Sequence, residues 1–216
     1  MRIANVDPHN PRQERLEDAA AVLAAGGVVA VPTETFYGLA ADVRNPDALR
    51  QINALKGKTA ESPLLLLLGS VEQAREVTGP LPRAFDTLVQ RFWPGPLTLL
   101  VPAAADLDRA LVGRTGTVAV RVPGLAIARK LAAVLGRPIS GPSANRHGEP
   151  PARTAAEVAE VFDDRIDLLL DGGPTTGGAP STLLDLTVDP PLMLREGLVG
   201  AAALQPYLPV IERKIV

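Results

Sequence analysis

The chain has 216 residues and 22.6 kDa, and 46% of its residues are apolar, enough to bury a sizeable core in one large domain or two small ones. With 22 Lys plus Arg against 24 Asp plus Glu the net charge is -2, so no overall basic field points to nucleic acid or an anionic membrane, and any basic site is local. Cysteine is absent, which excludes disulfide frameworks, thiol nucleophiles, zinc ribbons and iron–sulfur clusters, and two histidines, His9 and His147, cannot build a three-His metal site.

Chemistry in this chain must therefore rest on Lys, Arg, hydroxyls, amides and carboxylates. The N-terminal 11 residues lack a basic stretch followed by a hydrophobic one, and the apolar run at 64–68 falls far short of a bilayer span, so a cytoplasmic protein is expected. Asn10-Pro11 reads as a cap and first helical position, and Leu16, Ala19, Ala20 and Leu23 repeat at helical spacing until Gly26-Gly27. Residues 28–31 read as a buried strand, followed by the polar turn Thr33-Glu34-Thr35. Asn45-Pro46 restarts a helix with Leu49, Ile52 and Leu55 on one face, delivering Lys56-Gly57-Lys58 at its exit. Residues 64–68 read as a strand apolar on both faces.

Ser70 with Gln73 forms a capping-box pattern, and Pro82 opens a helix carrying Phe85, Leu88, Val89 and Phe92. Strands are predicted at 97–101, 118–122 and 138–140, a helix at 125–135, and a second capping box, Thr154 with Glu157, opens a helix to Phe162. Three more strands follow near 168–170, 182–186 and 192–194. Helix and strand alternate with no repeat or linker, so the expectation is one α/β domain over 1–216 around a largely buried sheet.

Four strand-end loops are chemically dense: 33–38, 56–63, 141–151 and 172–181. Such loops converge on a crevice in open α/β sheets, although each alone reads as a turn. The run 172–178, Gly-Gly-Pro-Thr-Thr-Gly-Gly, resembles a phosphate cradle but lacks the Gly-Lys-Ser/Thr ending of a P-loop. Gly141-Pro142-Ser143-Ala144-Asn145 is not a nucleophile elbow, because Asn145 replaces the last Gly and no His lies well downstream. Only four residues are Lys, and two of them form Lys56-Gly57-Lys58: either a solvated helix end favoured by the dipole or a site wanting ammonium groups. A crevice offering Lys56, Lys58, Arg121 and Arg195 beside Thr35, Ser143, Asn145 and Ser181 suits a phosphate-rich ligand next to a small polar one.

At these loops the sequence resembles the YrdC-type threonylcarbamoyl-adenylate synthase family, in order over nearly the whole chain. The resemblance is carried by Val31-Pro32-Thr33-Glu34-Thr35-Phe36-Tyr37-Gly38-Leu39, Leu55-Lys56-Gly57-Lys58, Phe92-Trp93-Pro94-Gly95-Pro96-Leu97-Thr98, Val118-Ala119-Val120-Arg121-Val122-Pro123, Pro142-Ser143-Ala144-Asn145, Ser181-Thr182-Leu183-Leu184-Asp185 and Leu194-Arg195-Glu196-Gly197. It implies a YrdC-like α/β fold, an open twisted, mostly buried mixed sheet flanked by helices with a large basic concave face. It also implies a nucleotidyltransferase condensing ATP, bicarbonate and L-threonine, with magnesium as helper, to threonylcarbamoyl-AMP and pyrophosphate for tRNA threonylcarbamoyladenosine. The partners implied are these substrates and tRNA or a downstream threonylcarbamoyl-transferase complex, with no membrane.

By position, the resemblance assigns Thr35, Arg121, Gly141 and Ser181 to a threonine pocket, and Lys58, Ser62, Thr117, Ser143, Pro151 and Arg195 to ATP. Lys56 and Asn145 join Lys58 and Ser143 as catalytic positions of the Lys-x-Arg plus Ser-x-Asn signature. On this reading Lys56, Lys58 and Arg195 neutralise phosphates, Ser143 and Asn145 orient them, and Lys56→Ala abolishes turnover while leaving the fold intact, its helix end facing solvent. Glu34 either helps place magnesium or satisfies turn N–H groups. Lys58 stands where Arg is usual, Ser62 where Asn is common, and Leu67 where some members place His. These departures leave open an altered-specificity or non-catalytic paralogue acting as an RNA- or nucleotide-binding module, and an enzyme with another amine acceptor. The 19 residues after Gly197 leave no expected room for the second domain of longer members.

Overall fold

The computed structural model of the protein describes residues 1–57, 63–112 and 115–208, and the backbone of 211–212. In chain order the elements are β1 (Arg2–Asn5), α1 (Gln13–Ala24), β2 (Val29–Pro32), β3 (Tyr37–Ala40), α2 (Pro46–Lys56), β4 (Leu65–Leu67), α3 (Ala74–Val77), α4 (Ala84–Phe92), β5 (Leu97–Pro102), α5 (Arg109–Val112), β6 (Thr117–Arg121), α6 (Ala126–Leu135), β7 (Ile139–Ser140), α7 (Ala155–Phe162), β8 (Leu168–Asp171), β9 (Thr182–Asp185), β10 (Leu192–Arg195), α8 (Ala201–Leu204) and β11 (Ile211–Glu212). The expected mixed sheet flanked by helices is present, divided in two. One sheet runs β1-β8-β2-β3 and the other β11-β10-β9-β5-β6-β4-β7, each with parallel and antiparallel pairs.

Apolar patterning explains the layers. Leu16 and Leu23 of α1 and Ile127 and Leu131 of α6 bury one stripe each against β2, β8 and Leu67 of β4. A second core lies among α2, α4, α7 and the seven-stranded sheet, and holds Leu49, Ile52, Phe85, Leu88, Leu99, Val120 and Phe162. The two sheets are stitched where β3 meets β7. Leu39 N donates to Pro142 O at 2.9 Å, Ala144 N to Tyr37 O at 2.8 Å, and Ser140 N to Ala41 O at 2.9 Å. The Ser140 hydroxyl adds two bonds, accepting from Ala41 N and donating to Leu39 O. This seam sets the 141–145 segment directly against the start of β3.

Local signals held in three places and failed in two. Asn45 caps α2 by accepting from Asp47 N and Ala48 N, Gly57 closes it at φ +63, and Thr154 with Glu157 forms a reciprocal capping box on α7. Asn10-Pro11 does not cap α1: Asn10 N donates to Asp7 Oδ1 in a turn, and the helix begins at Gln13 after Arg12. Nor does Ser70 cap a long helix. Gln73 Oε1 accepts from Gly69 N at 2.7 Å, and the helix shrinks to Ala74–Val77. No helix among the described residues is long and apolar enough to cross a membrane.

Candidate functional site

A cavity of about 740 Å3 opens on one face of the seven-stranded sheet. Strand register explains its floor. Leu65 of β4 lies beside Ala119 of β6, and Ala119 beside Leu100 of β5, forming one cross-strand row. The next row runs from Arg121 through Thr98 and Leu183 to Arg195, because Leu99 pairs with Val120, Thr98 with Leu183, and Leu183 with Arg195. The walls come from the β2–β3 turn, the 141–151 segment and residues 178–181. Lys56, Arg121 and Arg195 line the cavity, and no Asp or Glu does among the described residues, so its chemistry favours an anion.

Arg121 is 2% exposed and held on three sides. Its Nε donates to Gly95 O at 3.1 Å, its Nη1 reaches Thr35 Oγ1 at 3.5 Å, and its Nη2 lies 2.5 Å from Glu34 Oε1. That last contact is close but poorly aligned, leaving Glu34 Oε1 and Arg121 Nη2 without a well-directed hydrogen bond. Burial pushes the Glu34 carboxyl upward, but the Arg121 charge and the backbone N–H groups outweigh it and hold the pKa below the carboxylate range. Thr33 and Thr35 hydroxyls pair at 2.9 Å, and Thr98 and Ser181 hydroxyls at 2.8 Å, so small hydroxyls ring the guanidinium. Arg195 is exposed at the rim, while its partly buried guanidinium donates from Nε and Nη2 to Ser181 O at 3.1 and 3.0 Å. Burial and then the neighbouring Arg121 lower its pKa, and a guanidinium so placed still keeps its charge at neutral pH.

Lys56 corrects one expectation. It does not face solvent at a helix end but is 3% exposed. Its ammonium donates to Ser143 O at 2.5 Å, to Asn145 O at 3.0 Å and to Asn145 Oδ1 at 3.0 Å. An ammonium has three N–H groups, so Lys56 first holds the 143–145 turn. Asn145 is likewise turned inward: its Nδ2 donates to Arg146 O and Glu149 O, and its Oδ1 accepts from Ser143 Oγ at 2.6 Å. The backbone N of His147 donates to Lys56 O, closing the turn over the end of α2. Lys56, Ser143 and Asn145 thus form one hydrogen-bonded unit on the cavity wall.

The 172–178 segment is a strap with several of its N–H groups engaged by the protein itself. Gly173 N donates to Asp171 Oδ1, Thr175 N to Arg153 O and Gly177 N to Thr35 O. The Thr176 hydroxyl donates to Glu34 O. Tyr37 anchors its start, its hydroxyl donating to Gly173 O at 2.8 Å, and burial pushes that phenol up to about 12.

Nine sequence-predicted positions converge on the cavity: Thr35, Lys56, Arg121, Gly141, Ser143, Asn145, Pro151, Ser181 and Arg195. Thr117 is not on the wall. It lies beyond Ala119 on β6, its hydroxyl paired with Thr115 at 2.6 Å. Lys58 and Ser62 fall outside the described residues. A Cβ on Gly141 would lie 2.3 Å from Leu67 Cγ, which accounts for glycine there. Thr98 and Tyr37 went unassigned although both sit inside the quoted motifs; their roles depend on cross-strand register and on the strap. The residues present do not fit a protein-held magnesium ion. No group of three His, Asp or Glu side chains gathers among the described residues, and Glu34 faces Arg121 and Leu125 N.

The family profile Sua5_yciO_yrdC, described as telomere recombination, matches residues 21–197. A threonylcarbamoyl-AMP synthase of Pyrococcus abyssi is 42% identical over 190 residues, covering 86% of this chain and 56% of that protein. A threonylcarbamoyl-AMP synthase of Halorhodospira halophila is 37% identical over 197 residues, covering 91% of this chain and 97% of that protein. The crystal structure of P. abyssi Sua5 complexed with L-threonine superposes with a TM-score of 0.92 at 37% identity, over 98% of this chain and 63% of that one. The chain thus spans a little over half the length of the P. abyssi relative. With the profile covering most of the chain and the fold shared throughout, the protein belongs to the Sua5/YciO/YrdC family.

Proposed function

We propose that the protein is an L-threonylcarbamoyladenylate synthase. The observation carrying this reading is the cross-strand row that sets two guanidiniums, Arg121 and Arg195, on one cavity floor, without Asp or Glu among the described residues, and with the Thr98–Ser181 hydroxyl pair between them. Arg121 suits an amino-acid carboxylate, and the flanking hydroxyls suit a small polar side chain. The relative crystallised with L-threonine supports that choice of amino acid.

In this mechanism the threonine amine captures bicarbonate, losing water to give an N-carboxylate. An oxygen of that carboxylate attacks the α-phosphorus of ATP, the bond to the β-phosphate breaks, and pyrophosphate leaves. No side-chain nucleophile takes part, which agrees with a chain lacking cysteine. Arg195, with Lys58 by family position, balances phosphate charge. Ser143 faces the nucleotide from a turn that Lys56 and Asn145 hold in shape, and Pro151 flanks it. Ser62 and Thr117 are nucleotide contacts by family position alone. Magnesium enters with ATP as part of the substrate, and tRNA modification consumes the product.

The test is pyrophosphate release measured with each substrate omitted in turn. Release is expected only when ATP, bicarbonate and L-threonine are all present. Release that persists without threonine refutes the assignment.

A further inference from the structure

We propose that Glu34 is the positioning residue for the amino-acid end of the cavity: it fixes the Arg121 guanidinium so that a substrate carboxylate meets a preset donor edge beside the Thr98–Ser181 pair. The inference deepens the proposed function and rests on its reading of Arg121.

Glu34 stands behind the site. Its neighbours Thr33 and Thr35 line the cavity, as does Arg121, but Glu34 does not. Its side chain is 18% exposed and that of Arg121 3%. Two contacts fix the carboxylate, and the strap fixes the backbone of its turn. Leu125 N, just before α6, donates to Oε2 at 3.3 Å. The Gly124 backbone packs so closely that a Cβ there would lie 3.1 Å from the Glu34 carboxyl carbon. On the other side the strap ties the turn down, through Thr176 Oγ1 to Glu34 O at 3.0 Å and Gly177 N to Thr35 O at 3.1 Å.

Without Glu34 the guanidinium would keep one firm bond, Nε to Gly95 O, and one long one to Thr35. It would also lie near a second guanidinium, Arg195, with no Asp or Glu among the described residues that line the cavity. A second, partly buried pair is bonded differently. Arg137 grips both oxygens of Asp42, with Nε at 2.9 Å from each and Nη2 at 2.6 Å from Oδ2. Glu34 instead meets Arg121 off-axis at Nη2, and with directed bonds from Nε to Gly95 O and from Nη1 to Thr35 the five-donor guanidinium keeps donor capacity for a ligand.

The experiment is calorimetry of L-threonine and of ATP, each separately, on wild type, Glu34→Gln and Arg121→Gln, with melting curves alongside. Glu34→Gln is expected to weaken threonine binding about tenfold to a hundredfold while leaving ATP affinity and the melting midpoint nearly unchanged. Unchanged threonine affinity in Glu34→Gln, with loss in Arg121→Gln, overturns this proposal alone. Unchanged threonine affinity in Arg121→Gln overturns the reading beneath it as well. Parallel loss of ATP and threonine binding with a lowered midpoint makes Glu34 structural and also overturns it. Should Glu34→Gln not fold, Glu34→Asp and Glu34→Asn, isosteric with each other, decide: higher threonine affinity in Asp supports the proposal, and equal affinity overturns it.

Discussion

Lys56 shows how a single side chain changes meaning once its surroundings are known. In sequence it is one of two ammonium groups at a helix exit; in the fold its stem is buried and its head holds the 143–145 turn. Removing it takes one donor from each of three acceptors in a partly buried place; Ser143 O keeps Asn145 N and Asn145 Oδ1 keeps Ser143 Oγ, and the loss costs about 1 to 3 kcal/mol. Lys56→Met, which keeps the stem, is expected to lower the denaturant midpoint by that amount as well as turnover. An unchanged midpoint would show that the turn stands without it. Leu67 acquires a role in the same way: fully buried, it lies directly under Gly141 and leaves no room there for a methyl group.

At the level of elements, capping chemistry separates a real helix start from its sequence look-alike. Thr154 accepts from Glu157 N, and Glu157 Oε2 returns a bond to Thr154 N, so Thr154→Ala is expected to cost about 1 kcal/mol. Ser70 matches the same pattern without capping α3, so Ser70→Ala is expected to stay within about 0.5 kcal/mol. Chemical denaturation of the two variants checks both figures, and an equal loss would refute the distinction. The helices with apolar stripes, α1, α2, α4, α6 and α7, were legible within a few residues because period and burial agree. Strand β3 was not. Its four residues are all buried and show no alternation, and the turn before it reads as the start of a long loop. Strand β1 also escaped, as a short and mostly exposed edge whose pairing with β8 spans most of the chain.

Across the whole molecule, the 141–145 wall of the cavity rests on the seam between the two sheets. Ser140 is fully buried and bonds twice across it, to Ala41 N and Leu39 O. Ser140→Ala leaves a buried backbone N–H without that acceptor and is expected to cost about 1 to 3 kcal/mol. Because the seam also carries Gly141 and Ser143, threonine and ATP affinities should fall with it, as calorimetry would show. Unchanged stability would mean that the backbone bonds alone hold the sheets together.

Period, capping residues and strand-end motifs belong to the sequence by itself: the alternation of helix and strand, the four dense loops, and the residue types able to hold an anion beside a small polar group. Those signals are local, set by backbone propensity and by which side chains can carry charge or donate hydrogen bonds. Tertiary structure alone decided that the strands divide into two sheets, that Lys56 and Asn145 face inward, that Glu34 lies against Arg121, and that Thr98 completes the row to Arg195. Each of these depends on register and burial between residues far apart in the chain, and no local pattern encodes which carboxylate will meet which guanidinium.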